Sequence, residues 1–156
     1  MGSLLSCRRI VQERYSKEAF SGEGARLYGG RWNSAGHAAV YAAGSRALAV
    51  LEMLVHLDGP QLLSSYLLFE AEFPESLVTE LPVGDLPQDW RDDPAPASTQ
   101  AIGDAWIRSG ASAVLRVPSV PIPQEHNYLL NPRHAEFGRI RISAAERFAF
   151  DSRLKG

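Results

Sequence analysis

"YGGRWNSAGHAAVYAAGSRALAVLEMLVHL", residues 28–57, runs from a double glycine through a turn and a small-residue extended piece into a strongly apolar helical repeat. Ser45 is an N-cap residue type, and "RALAVLEMLVHLD" keeps apolar side chains at helical spacing until Gly59 and Pro60 stop it by φ freedom and a missing N–H. Just upstream, "RWN" and "HAAVYAA" read as two short extended pieces around an Asn/Ser/Gly turn, which predicts a hairpin. A helix directly after paired strands points to an α+β domain rather than to strict alternation.

Working outward, Ser16 is placed to cap a short helix through "KEAFSGEGARLYG", weakened by Gly22 and Gly24. "SSYLLFEAEFP" sets Leu67, Phe69, Ala71 and Phe73 against Leu68, Glu70 and Glu72, the period of a half-buried strand. Residues 82–99, "PVGDLPQDWRDDPAPAST", carry prolines and aspartates that suit a surface loop and forbid a central strand. A loop of that length on a small domain is a candidate lid or partner contact. Ser98 then caps "TQAIGDAWIRSG" up to Gly110, "SAVLRVPSV" resumes as a strand, and "HNYLLNP", "RHAEFG" and "RIRISAAERFAFD" complete the chain as strand, turn and strand.

At 156 residues, 45% apolar, one core suffices for residues 1–156. A formal net charge of −2 supplies no positive field for nucleic acid or anionic lipid, so neither is expected as a direct partner. A lone cysteine excludes an internal disulfide and suits a reducing cytosol; no metal site is expected from four histidines without ligand spacing. No run approaches the length of a membrane span, and "MGSLLSCRR" lacks the order of a secretion signal. P-loop, G-x-G-x-x-G and paired C-x-x-C patterns are missing.

Glu52 sits mid-helix among Leu48, Ala49, Val55 and His56, and a carboxylate on an apolar face needs either a partner or a task. Arg31, after Gly29 and Gly30, has room for the close approach of an anion, to which its planar fork is suited; stacking on Trp32 or Tyr28 is the structural alternative. Tyr28 and Tyr41 put rings near the same element, Tyr41 between small neighbours that leave a platform for a flat heteroaromatic group. Ser119 stands between prolines without a nucleophile elbow, and Asn127 follows the same loop; as single residues both read as turn groups.

Taken together, "GEGARLYGGRWNSAGHAAVYAAGSRALAVLEMLVHL", "LRVPSV" and "NYLLNP" resemble the RES domain family, named for an Arg, a Glu and a Ser that match Arg31, Glu52 and Ser119. The likeness runs from Arg9 to the terminal "FAFDSRL", with a core at about residues 8–154. It implies a mixed-sheet fold similar to ADP-ribosyltransferases, surrounded by helices. It also implies the toxin of a bacterial toxin–antitoxin pair that cleaves NAD+ as a consumed substrate, without a resident cofactor. The implied partner is an antitoxin with a helix-turn-helix DNA-binding part covering the active site. ADP-ribose would pass to water, phosphate or a protein. Around Glu52 the text is "LEML" and not the E-x-E acceptor signature of some ADP-ribosyltransferases, so that route to a protein acceptor is closed.

The residue types suit that chemistry. Nicotinamide leaves NAD+ neutral, so positive charge builds on the ribose and a carboxylate is its natural counter-charge. Glu52 is thus expected at the ribose, Arg31 at the diphosphate, Tyr41 and Tyr28 beside nicotinamide, and Ser119 and Asn127 as nearby hydrogen-bonding groups. Two other readings stay open: a transferase dedicated to one cellular protein, with the 82–99 loop as its recognition surface, and a nucleotide- or partner-binding module without turnover.

Overall fold

The computed structural model describes residues 2–57 and 59–155. Its sheet is built from β1 (Leu4–Gln12), β2 (Val40–Ala43), β3 (Tyr66–Pro74), β4 (Val78–Glu80), β5 (Val114–Pro118), β6 (His126–Leu130), β7 (Arg141–Ile142) and β8 (Glu146–Phe148). The strands run in the order β4-β5-β6-β2-β1-β3-β7, with β8 also on β3; only β4 and β5 are parallel. Three α-helices, α1 (Glu23–Tyr28), α2 (Arg46–Leu54) and α3 (Ala97–Ser109), accompany the sheet. This is the α+β architecture expected, in one domain with a mixed sheet.

Strand alternation decides where the site lies. On β2 and β6, Val40, Ala42, Tyr128 and Leu130 turn to one face and pack with Cys7, Ala71, Phe73 and Val114. The intervening residues turn to the other face, where two separate cores form. Ala43, Ile10, Tyr66 and Leu68 pack under Leu48 and Ala49 of α2. Ala39, Leu115, Val117 and Leu129 pack with Trp32 and with Trp106 of α3. Tyr41 and Asn127 share this face, so the space between the two cores is walled by both helices' surroundings and floored by the sheet.

Several elements differ from the sequence reading for identifiable reasons. Ser16 lies inside a 3-10 helix, Glu13–Glu18, and caps nothing; α1 begins only after Gly22, whose φ of 75° is left-handed. "RWN" pairs with no strand beyond a single bridge between Gly30 and Asn33. Its carbonyls go to α3: Thr99 Oγ1 donates to Arg31 O (2.6 Å) and Gln100 Nε2 to Gly30 O (3.1 Å). β2 instead pairs with β1 and β6, so no hairpin forms. α2 has the expected cap, Ser45 Oγ accepting from Leu48 N at 3.1 Å, but ends at Leu54. On α3 the cap position is Pro96, and the Ser98 hydroxyl donates instead to Asp89 Oδ1 (2.5 Å). Gly110 closes α3 in the left-handed conformation, as expected.

β3 matches its expected span, yet both its faces are covered. Ala71 and Phe73 are buried on one face, Tyr66 and Leu68 on the other beneath α2, while Glu70 leaves the helix's cover and pairs with Arg46 (2.7 Å) and Arg8 (3.6 Å). The strand that sequence reading left unassigned is β1, in the sheet interior and paired along its whole length with β3. Arg8 and Arg9 at its centre disguise it.

Candidate active site

A cleft of about 740 Å³ opens on the face between α2 and the 29–32 segment. Glu52 reaches it from α2, Tyr41 from β2, Asn127 from β6 and Arg31 from the double-glycine segment. In the sheet register Asn127 faces Ala43. That alanine leaves space above the sheet for the Glu52 side chain to descend from α2 to β6, which a larger residue would fill.

The Glu52 carboxylate is held on one oxygen. The Ser119 hydroxyl donates to Oε2 at 3.1 Å, and Asn127 Nδ2 donates to the same oxygen. Ser119 Oγ in turn accepts from Ile122 N (3.2 Å), which fixes the hydroxyl. Among the described residues Glu52 Oε1 receives no hydrogen bond, and Asn127 Oδ1 is buried without a partner. Two acceptors therefore stand ready beside an oriented carboxylate. Ser119 itself is fully buried and lies behind Glu52, off the cleft surface. It works on the carboxylate from below.

Tyr41 is set by two bonds of opposite sense: its hydroxyl donates to Asn33 Oδ1 (2.6 Å) and accepts from Trp32 N (2.8 Å). Burial pushes the phenol's pKa upward, so the ring is a neutral wall group. Asn33 is itself fully buried, its Nδ2 donating to Ala25 O, Ser34 O and His37 O (2.9–3.2 Å). Gly30 makes the arrangement possible, because a Cβ there would fall 2.7 Å from the Tyr41 hydroxyl.

Arg31 lines the cleft, but its guanidinium is turned toward the 82–99 loop: Nη1 donates to Trp90 O (3.0 Å) and Asp92 O (2.7 Å). It is not stacked on Trp32 or Tyr28; the cation–π contacts among the described residues are elsewhere. Tyr28 ends α1 at 85% exposure and does not line the cleft, so the structure brings together Arg31, Tyr41, Glu52 and Asn127, with Ser119 beneath, and leaves Tyr28 outside.

Sequence reasoning missed Arg8 and Arg9, which line the cleft from β1. Arg9 donates to Ala19 O (2.7 Å) and Tyr41 O (2.8 Å), and among the described residues no carboxylate pairs with it. Its enclosure pulls its pKa down to about 10. An enclosed cation satisfied only by carbonyls beside an open cleft is a natural anion contact. The signal available was a double arginine within an apolar stretch, which only a strand assignment would have turned into a site. Among the described residues no three His, Cys, Asp or Glu side chains gather as a metal site, and no helix is long and apolar enough to cross a membrane.

Comparisons with known proteins bear on the same residues. The RES domain model matches residues 6–151. A Yersinia enterocolitica protein named Toxin Res is 49% identical over 94% of this chain and 97% of its own length. A Sphingobium protein named Prs ADP-ribosylating toxin is 40% identical over 90% of this chain and 89% of its own. Among solved structures, that of the M. tuberculosis MbcT-MbcA toxin-antitoxin complex contains a chain that aligns with a TM-score of 0.78 at 20% identity. The match covers 99% of this chain and 88% of that one, and establishes likeness of fold.

Proposed function

The chain belongs to the RES domain family, and on that premise we propose that it is the toxin of a toxin–antitoxin pair and consumes NAD+ by cleaving the bond between nicotinamide and ribose. The names of its relatives, Toxin Res and Prs ADP-ribosylating toxin, support both parts of the reading. The observation that carries it is the Glu52 carboxylate, oriented by Ser119 and Asn127 at the wall of a cleft that also holds a fixed tyrosine and arginines.

The chemistry uses those groups as follows. When the C1′–N bond breaks, its electron pair goes to the nicotinamide ring nitrogen, which departs neutral, and positive charge spreads over the ribose C1′ and ring oxygen. Glu52, with Oε1 open, accepts from ribose hydroxyls and opposes that charge, and Asn127 Oδ1 offers a second acceptor. Such preorganised stabilisation contributes roughly 3 kcal/mol, about a hundredfold in rate. Arg31, with Arg8 and Arg9, supplies cationic lining for the diphosphate, and Tyr41 a face for nicotinamide. The acceptor oxygen then bonds to C1′ and releases its proton to solvent. NAD+ is a substrate in this scheme, and no resident cofactor is invoked.

The acceptor is water, phosphate or a protein; the Sphingobium relative's name favours a protein. A cytosolic enzyme that drains NAD+ needs restraint, so the proposed partner is an antitoxin with a helix-turn-helix part that covers the cleft.

The test mixes purified protein and NAD+ labelled in the adenylate phosphate, with and without phosphate and cell extract, beside Glu52→Gln. Nicotinamide release with a labelled small product, both lost in the variant, identifies a glycohydrolase or phosphorylase. Label in one protein band identifies a transferase. Bound but intact NAD+ under every condition overturns the catalytic reading and leaves a binding module.

A further inference from the structure

We propose that Arg31 is a positioning residue, a latch that holds the 90–95 segment of the long loop in place as one wall of the cleft. Its Nη1 donates to two carbonyls of that segment, those of Trp90 and Asp92, at 3.0 and 2.7 Å. Between and beyond these carbonyls, Arg91, Asp93 and Ala95 line the cleft. The loop's wall face is therefore presented by the very residues that the guanidinium holds.

The base of the latch is rigid. The Arg31 carbonyl accepts from the fully buried Thr99, and Gly30's from Gln100. The neighbouring residue Trp32 packs so closely on α3 that a Cβ on Gly103 would overlap its carbonyl oxygen. The gripped segment is less tied down: Trp90 is partly buried against the Trp32 and Trp106 core, while Arg91, Asp92 and Asp93 are exposed. Bonds from a cationic donor to carbonyls are the stronger kind, and losing them at an exposed segment lowers the cost of local opening. Arg91 and Asp93, one cation and one anion, are then the charged groups that an acceptor entering past this wall meets. The latch stands on geometry that is independent of what occupies the cleft.

The test is limited chymotrypsin digestion of the full chain without ligand. It compares cleavage after Trp90 with cleavage after the exposed Tyr15, in the native protein, Arg31→Met and Arg31→Lys. The Met variant keeps the stem and removes the donors, and cleavage after Trp90 should rise about tenfold relative to Tyr15. The Lys variant, which keeps the charge without the planar fork, should show a smaller rise and covers the case in which the Met variant fails to fold. Unchanged Trp90 cleavage in the folded variants, or an equal rise at both sites, overturns the latch. NAD+ consumption measured on the same samples keeps the two ideas apart: lost turnover with a protected loop sinks the latch alone, and an opened loop in a protein that never consumes NAD+ sinks only the catalytic reading.

Discussion

The Ser119 hydroxyl donates to Glu52 Oε2 across 3.1 Å, joining the end of β5 to the middle of α2. Because Asn127 Nδ2 donates to the same oxygen, the two groups act on one carboxylate and their effects should not add. Ser119→Ala and Asn127→Ala should each lower nicotinamide release about tenfold, and the double variant should lose much less than the product of the two. Full multiplicativity in kcat would mean that one of them touches substrate independently of Glu52.

Gly103 carries the close approach of α3 to the Trp32 carbonyl. A methyl group there cannot be absorbed by a side-chain rotation, because the obstacle is backbone. Gly103→Ala should therefore destabilise the fold by about 3 kcal/mol or more, read as a lowered denaturation midpoint. Gly138→Ala, where a Cβ meets nothing within 4 Å, is the control expected to leave stability nearly unchanged.

Tyr41→Phe removes the partner of both Trp32 N and Asn33 Oδ1 while keeping the ring. Leaving these groups unpaired should cost about 1–3 kcal/mol in urea unfolding. Turnover should fall through the loosened cleft wall, without loss of the stacking surface.

Cys7 is fully buried, and burial raises its thiol from an ordinary 9.0 to about 12. The native state thus holds a proton that the unfolded chain releases. The resulting stabilisation is complete below pH 9 and is lost as pH climbs to about 12. Ellman's reagent should react at pH 8 only at the rate of unfolding, and Cys7→Ala should flatten the decline of stability between pH 9 and 12. Rapid labelling of the folded protein would overturn this.

Local signals in the sequence were enough for α2 with its Ser45 cap, the Gly110 stop of α3, the span of β3 and the irregularity of residues 82–99. Each rests on side-chain spacing or on the φ and N–H properties of nearby residues, which a chain carries with it before folding. Glu52 stood out for the same reason, as a carboxylate in an apolar helical repeat.

Long-range pairing lay beyond that reach. Nothing within residues 31–43 reveals that "RWN" gives its carbonyls to Thr99 and Gln100 while β2 pairs with β1 and β6, because the competing partners are far along the chain. The same holds for β1, whose Arg8 and Arg9 read as surface charge until strands on both sides enclose them. The sequence by itself determined which residue types could do the chemistry. Only the tertiary structure decided that Ser119 lies behind Glu52, that Tyr28 stands outside, and that Arg31 grips a loop some sixty positions away. Those outcomes depend on hydrogen-bond competition between distant segments, which spacing along a chain does not encode.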